Sequence, residues 1–157
     1  MNTLTTSAVV LALAAIAAAG YFYITAQTAL AERAQEEENK KLVLTAYQAL
    51  FGDHDLSALE KYWGEPYIQH NPLVPNGKAA LGAFVQSMID AGAPKSTLDV
   101  KRVAAEGDYV WVHLRSSFGE QEVAIVDIFR VEQGKIVEHW DVIQPVPVES
   151  ANSNTMF

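Results

Sequence analysis

The sequence of 157 residues contains no cysteine, which excludes disulfide bonds, thiolate metal sites and cysteine nucleophiles. It also lacks a cluster of lysine or arginine, and its formal net charge is −8. Nucleic acid and anionic membrane surfaces are therefore not expected as partners. Half of the residues are hydrophobic, and the length suits one compact domain with a substantial core.

Charge is also missing from the N-terminus, where the first charged residue is Glu32. An apolar stretch, Ala8–Ile24, precedes the sequence Ala29–Ala31, in which a small residue stands on each side of Leu30, a pattern typical of a secretory signal and its cleavage site. The stretch carries no preceding lysine or arginine and approaches the length that spans a bilayer. We therefore predict that residues 1–31 are a signal peptide or an N-terminal membrane anchor, with a possible tether through residues 8–26. Either reading predicts a protein that is exported, to the periplasm or the medium, or anchored to the membrane.

Hydrophobic periodicity changes from helical to alternating near Pro94. Residues 32–41 are charged and are expected to form a linker or the start of a helix, while the tail 148–157 is expected to be flexible. Asn76 is a candidate N-cap for the third predicted helix. Apolar spacing predicts helices near 42–51, 56–63 and 76–92, and strands at Thr97–Ala105, Asp108–Ser117, Gln121–Glu132 and Lys135–Gln144. Because short glycine-containing links join most strands, we expect an α+β fold with N-terminal helices packed on a strongly curved antiparallel sheet.

Ionisable side chains interrupt apolar faces of these predicted strands. His139 and Asp141 are two residues apart and share a face with Val137 and Ile143. Asp127 is similarly placed among apolar residues of the preceding strand. Such groups are costly to bury unless they satisfy one another or serve a site. A curved sheet could bring them into one pocket suited to a small organic ligand.

Each residue also has a structural interpretation. His113, which shares a strand face with Trp111, could be a hydrogen-bonded structural histidine. Asp127 could form an ion pair with Arg115 or Arg130. His139 and Asp141 could lie on a solvated face above a buried Trp140, and His70 could stabilise the turn before Pro72.

Four segments resemble a known family. They are "YIQHNP" (67–72), "NGKAAL" (76–81), "VDIFRVEQGKIVEHWDVIQ" (126–144) and the histidine of "VWVHLR", His113. They are similar to the SnoaL-like group of the nuclear-transport-factor-2-like superfamily, especially to predicted aldol-condensation-catalysing members. The resemblance covers residues 42–147 and implies a cone-shaped α+β barrel around a ligand pocket. It also implies a homodimer and polyketide-cyclase-like acid–base chemistry without metal or other cofactor.

The resemblance places catalytic candidates at His70, Asp127, His139 and Asp141. Substrate-binding candidates are Tyr67, Asn71, Trp111, His113, Phe129 and Trp140. The expected function is proton-transfer chemistry, such as aldol cyclisation or isomerisation, on a small apolar carbonyl compound. The alternative is a non-catalytic small-molecule-binding protein. A metal site built from His70, His113, His139 and a carboxylate is a third hypothesis, which the wide spacing of these histidines does not favour.

Overall fold

The computed structural model describes the backbone of residues 3–157 and the side chains of residues 11–13 and 15–157. The chain forms two compact units, Met1–Gln35 and Glu36–Phe157. The helix α1, Thr3–Tyr47, includes residues 32–41. Among the described residues, α1 is the one helix long and apolar enough to cross a membrane, and a signal sequence would meet the same criterion.

The second unit contains short helical segments and five strands. A π-helical turn, Gln48–Gly52, follows α1. The remaining elements are α2 (Ala58–Tyr62), β1 (Trp63–Gln69), α3 (Lys78–Asp90), β2 (Asp99–Glu106), β3 (Tyr109–Phe118), β4 (Gln121–Glu132) and β5 (Lys135–Pro145). Residues 148–157 form no helix or strand.

The strands form one open sheet in the order β1-β5-β4-β3-β2. The meander from β2 to β5 is antiparallel, as predicted. In its last turn, Gln133 and Gly134 both have positive φ, as a type I′ hairpin requires. The sheet also contains a fifth strand that the antiparallel prediction lacked, because β1 pairs with β5 in parallel and places Gln69 beside His139. The free edge of β5 supplies the partners that β1 needs for its backbone hydrogen bonds.

The inner face of the sheet packs against the helices. On β3 the alternate residues Val110, Val112 and Leu114 are buried. The pairing of β4 with β5 shifts register between Arg130 and Val131, so Val137 is an extra residue. Ile136 therefore occupies the core where strand parity alone had placed Val137. The helical part of this core includes Val43, Ala46, Leu50, Leu81 and Val85.

The expected capping role of Asn76 is also wrong. The N-cap of α3 is Gly77, which makes no side-chain capping hydrogen bond. Asn76 Oδ1 instead accepts a hydrogen bond of 2.8 Å from the backbone N–H of Gln69. This contact holds the end of β1 beside β5, where the polar residues of the inner face lie.

Candidate functional site

A cavity of about 220 Å³ lies against the inner face of the sheet. Aromatic side chains form much of its wall: Tyr47, Phe51, Trp63, Tyr67, Phe84 and Phe129. Its polar lining includes Gln69, Asn71, Asp127, His139 and Asp141. An apolar enclosure with a few polar groups on one wall is the usual form of a small-molecule site.

Asp127 is buried in this wall, with 3% of its surface exposed. Its Oδ2 accepts a hydrogen bond of 2.8 Å from the hydroxyl of Tyr47, at the end of α1. Its Oδ1 lies 2.9 Å from Nε2 of His139. Burial raises the pKa of Tyr47 well above its ordinary value, and the charge of Asp127 raises this pKa further. Tyr47 therefore stays protonated and donates to Asp127.

The orientation of the Gln69 amide determines the tautomer of His139. The backbone N–H of Asn71, which can only donate, lies 2.9 Å from Gln69 Oε1. This contact fixes the oxygen of the amide, rather than its nitrogen, on the side that faces Nδ1 of His139 at 2.8 Å. Nδ1 must then carry a proton and donate it to Gln69.

At least one further proton is required between His139 and Asp127. A neutral imidazole protonated at Nδ1 presents a bare lone pair at Nε2, and a carboxylate also presents only acceptors. Two acceptors 2.9 Å apart would repel each other. The pair therefore holds a carboxylic acid beside a neutral imidazole, or a carboxylate beside an imidazolium. These two states differ only in the position of one proton, so the pair can act as a proton store.

Asp141 lies directly opposite Asp127 in the pairing of β4 with β5. Facing carboxylates destabilise a sheet unless other groups compensate their repulsion. Asn71 Nδ2 donates a hydrogen bond of 2.6 Å to Asp141 Oδ2, and the proton of the His139–Asp127 pair offsets one negative charge. Asp141 Oδ1 makes no hydrogen bond to the described residues. One oxygen of this partly exposed carboxylate is thus available to a ligand.

Tyr67 and Trp63 complete the wall next to these acids. Gln69 Nε2 donates to the hydroxyl oxygen of Tyr67 at 3.2 Å. Burial raises the pKa of Tyr67; the neighbouring indole N–H of Trp63 lowers it, and Asp127 and Asp141 raise it, so the net shift is upward. The Trp63 N–H interacts with this oxygen electrostatically without meeting hydrogen-bond geometry, and it has no other partner among the described residues.

Asp127, His139 and Asp141 also form a set that could hold a divalent cation. Their ligand atoms lie within 4.8 Å of one another, and one imidazole with two carboxylates suits several transition metals. A cation there would have to replace the hydrogen bond that joins His139 to Asp127. The metal set considered from the sequence is not brought together, because His70 and His113 do not line the cavity.

Four of the expected site residues lie on the opposite, outer face of the sheet. His113 and Trp111 alternate with the buried residues of β3, and Trp140 alternates with His139 and Asp141 on β5. His70 follows Gln69 and points the other way, stacked on Trp140 with ring centroids 4.5 Å apart. The expectation that these residues form the pocket with Asp127 is therefore corrected.

Polar partners on the outer face satisfy these side chains. His70 Nε2 lies 2.9 Å from Glu138, which also accepts a hydrogen bond of 2.7 Å from Arg130 Nε. Desolvation acts to raise the pKa of Glu138, but the hydrogen bonds from His70 and Arg130 outweigh it and lower this pKa. His113 Nδ1 lies 3.1 Å from a guanidinium nitrogen of Arg102. These contacts agree with the structural interpretation of both histidines.

Five other expected residues do line the cavity: Asp127, His139, Asp141, Tyr67 and Asn71. Phe129 lines it too, packed against Tyr47 and His139. Sequence reasoning missed Tyr47, Gln69 and Trp63. Tyr47 lies within an apolar helical stripe, and Trp63 falls at the end of a predicted helix. Gln69 carried one usable signal, since it shares strand parity with Tyr67.

The model of the SnoaL-like domain matches residues 44–139. The chain belongs to the SnoaL-like domain family. No curated protein sequence matches this SnoaL-like chain.

Solved structures share its fold. A predicted SnoaL-like polyketide cyclase from Jannaschia sp. CCS1 is 22% identical, with a TM-score of 0.57, over 69% of this chain and 86% of that one. AclR of Streptomyces galilaeus, a predicted hydroxylase, is 26% identical, with a TM-score of 0.57, over 69% and 90%. An NTF-2 like protein from Burkholderia xenovorans LB400 is 19% identical, with a TM-score of 0.58, over 73% and 88%. The expected α+β fold of the nuclear-transport-factor-2-like superfamily is confirmed.

The tautomer of His139 can be tested by replacing Gln69 with leucine. In the full-length wild-type chain at neutral pH, we expect ¹⁵N NMR to show His139 protonated at Nδ1, because Gln69 Oε1 accepts from this nitrogen. Gln69→Leu removes the acceptor, so the form protonated only at Nε2 should appear. Gln121→Leu, at the exposed start of β4, serves as the control and should leave the spectrum unchanged. A wild-type His139 protonated only at Nε2 would contradict the assignment.

The buried phenol of Tyr47 should make the protein less stable at alkaline pH. Because its pKa is raised in the folded state, the unfolded chain loses this proton first, from about pH 10. The linked stability is complete below that pH and is lost as pH rises toward the folded pKa. We expect Tyr47→Phe to make the decline of the unfolding free energy between pH 9 and 11 shallower by about 0.7 kcal/mol per pH unit on average, because the limiting slope of about 1.4 kcal/mol per pH unit is reached only above about pH 11.

Urea titrations between pH 9 and 11 measure this slope. Phe129→Leu is the matched control, since its ring packs 5.4 Å from that of Tyr47 and it carries no titrating group. This control should lower stability by the same amount at each pH. Equal slopes for Tyr47→Phe and the wild type would show that the phenol is not held protonated.

Proposed function

We propose that this SnoaL-like domain is an acid–base enzyme that removes a proton α to the carbonyl group of a small apolar compound. The observation that carries the proposal is the Asp127–His139 pair, which holds a proton beside Asp141 in an aromatic cavity. Aldol-type cyclisation and isomerisation both need a base for the α-carbon and a donor for an oxygen or a second carbon.

The cavity favours a small, uncharged ligand. Its volume of about 220 Å³ is below the roughly 300–1,000 Å³ of drug-sized sites. Its aromatic walls stabilise a ligand that buries apolar surface against them, while the facing carboxylates Asp127 and Asp141 would repel an anion.

Asp141 is the base in this proposal. Both oxygens of Asp127 already have partners, Tyr47 and His139, whereas Asp141 is hydrogen-bonded through Oδ2 alone. Asn71 holds the Asp141 carboxylate in place, so Oδ1 can take the α-proton and leave an enolate.

The returning proton comes from the Asp127–His139 pair in an aldol step and from Asp141 in an isomerisation. In an aldol step, the enolate carbon forms a bond to a second carbonyl carbon, and the oxygen of that carbonyl takes the proton of the pair. In an isomerisation, the proton on Asp141 returns to a different carbon of the same enolate. Gln69 keeps the imidazole oriented in both cases, since it accepts from Nδ1 and leaves Nε2 toward Asp127.

Deuterium uptake from D₂O tests the proposal directly. The full-length chain is incubated with a panel of small ketones that includes acetophenone, and mass spectrometry follows exchange at the α-carbon. We expect Asp141→Asn and Asp127→Asn each to lower the exchange rate at least about 100-fold, since each removes a proton carrier. Glu138→Gln, a carboxylate of β5 paired to His70 and Arg130 on the outer face, is the matched control and should keep the wild-type rate.

Full exchange by Asp141→Asn would disprove its role as base. A wild-type chain that binds these ketones without exchanging deuterium would support the alternative, a non-catalytic small-molecule-binding protein. The apolar wall alone suffices for that function.

We also infer that the N-terminal apolar helix exports the chain or anchors it to a membrane. Support comes from the uncharged first 31 residues and from exposed apolar side chains such as Ile16 and Phe22. Intact-mass measurement after expression distinguishes the two possibilities. Loss of the segment before Glu32 indicates a signal peptide, and its retention in the membrane fraction indicates an anchor. A full-length chain found free in the cytoplasm would contradict both possibilities.

The homodimer that the family resemblance implies stays a prediction.

A further inference from the structure

Trp63 presents a buried hydrogen-bond donor that no group of the described protein satisfies. Its side chain lines the cavity at the start of β1, with 2% of the residue exposed. Among the described residues, no atom meets hydrogen-bond geometry with the indole Nε1–H. Leaving such a donor unpaired in a protein interior costs roughly as much free energy as a lost hydrogen bond. Because the Trp63 side chain lines the cavity, a donor in this state is suited to a ligand acceptor.

A second donor lies beside it. Tyr67 also lines the cavity, and its hydroxyl oxygen accepts from Gln69 Nε2 at 3.2 Å. The hydroxyl proton itself has no acceptor within the described part of the chain. Burial outweighs the opposing effect of the Trp63 indole and raises the pKa of Tyr67, so the phenol remains a neutral donor. Trp63 and Tyr67 are the two buried residues of β1, and both line the same cavity.

We propose that Trp63 Nε1–H and Tyr67 O–H together form the subsite for the carbonyl oxygen of the ligand. The assignment deepens the proposed function, on which it rests, by naming the end of the cavity that the oxygen occupies. Two neutral donors suit an oxygen that is uncharged in the bound ketone and gains negative charge in the enolate. The charges of Asp127 and Asp141 also act on Tyr67, so a carboxylate ligand would be repelled here. The ligand class is therefore a neutral ketone, aldehyde or enone.

The arrangement separates donors from acceptors within one cavity. Trp63 and Tyr67, both on β1, offer hydrogens, whereas Asp141 offers a free oxygen from the neighbouring strand β5. A carbonyl compound whose oxygen lies on the donors can direct its α-carbon toward the acid. Polarisation of the carbonyl by the donors makes the α-proton more acidic, which is what a carboxylate base requires.

The indole resonances of the protein provide a direct test. The chain has three tryptophans, and ¹H–¹⁵N NMR of the full-length protein should show one side-chain signal for each. The probe is acetophenone, compared with α-methylstyrene, in which a CH₂ group replaces the carbonyl oxygen. We expect acetophenone to move the Trp63 signal downfield and α-methylstyrene to leave it near its free position. Trp111 and Trp140, which do not line the cavity, are internal controls and should not respond.

The binding affinities of acetophenone and α-methylstyrene, measured by equilibrium dialysis, provide an independent test of the subsite. The wild type should prefer acetophenone over α-methylstyrene by about 3- to 10-fold for each hydrogen bond formed. Trp63→Phe and Tyr67→Phe should each reduce this preference by about that factor, and Trp140→Phe should leave it unchanged. Tyr67→Phe conserves the ring, so it tests the subsite even if Trp63→Phe fails to fold.

The outcomes separate this proposal from the proposed function. A Trp63 signal that ignores saturating acetophenone, or a preference retained in both variants, would overturn the subsite. A response of Trp63 to acetophenone in a chain that exchanges no deuterium would support the subsite and reject the acid–base reaction. Asp141→Asn should abolish exchange while retaining the Trp63 response, because it leaves both donors intact.

Discussion

The pairing of β4 with β5 places two carboxylates, Asp127 and Asp141, directly opposite each other on the buried side of the sheet. This register determines the chemistry of the site, because facing acids in an apolar cavity repel unless donors or a proton intervene. His139 lies diagonally across the same strands and brings the proton, while Tyr47 and Asn71 supply hydrogen bonds. The compensation of this repulsion places one proton between His139 and Asp127, and the proposed acid–base chemistry uses this proton.

A backbone N–H determines how the side chains of the site are oriented. The N–H of Asn71 holds the Gln69 amide, which in turn fixes Nδ1 of His139 as a donor. Because β1 joins β5 in parallel, this control comes from a segment about 70 residues away in the sequence. Asn76 holds the same strand end by accepting from Gln69 N–H. Short loop contacts thus set the protonation pattern of a buried histidine.

The two-residue period of strands predicted the meander and the convergence of Asp127, His139 and Asp141, because each lies in a row of apolar residues. Periodicity alone could not decide which side of β3 faces the helices, since that strand carries aromatic and polar residues opposite its valines. His113 and Trp111 were misplaced for this reason. Gln69 and Tyr47 contact His139 and Asp127 from distant segments of the chain, and a local sequence pattern cannot predict such contacts.

The sequence pattern also could not predict the bulge in β5. The extra residue Val137 reverses the parity of β5 before His139, so Ile136 is the residue that enters the core. Alternation of inward and outward residues, counted from His139 toward the start of β5, therefore places Val137 on the wrong face. A bulge depends on the pairing with the partner strand, which the sequence of β5 alone does not determine. The outer-face stacking of His70 on Trp140 likewise follows from the unpredicted pairing of β1 with β5.

Neutron diffraction from a crystal of the full-length protein at neutral pH would test the shared proton most directly. We expect one deuteron on His139 Nδ1, directed at Gln69, and a second between Nε2 and Asp127 Oδ1. Nuclear density showing no deuteron between Nε2 and Asp127 would contradict it, because the site would then lack the proton on which its chemistry depends.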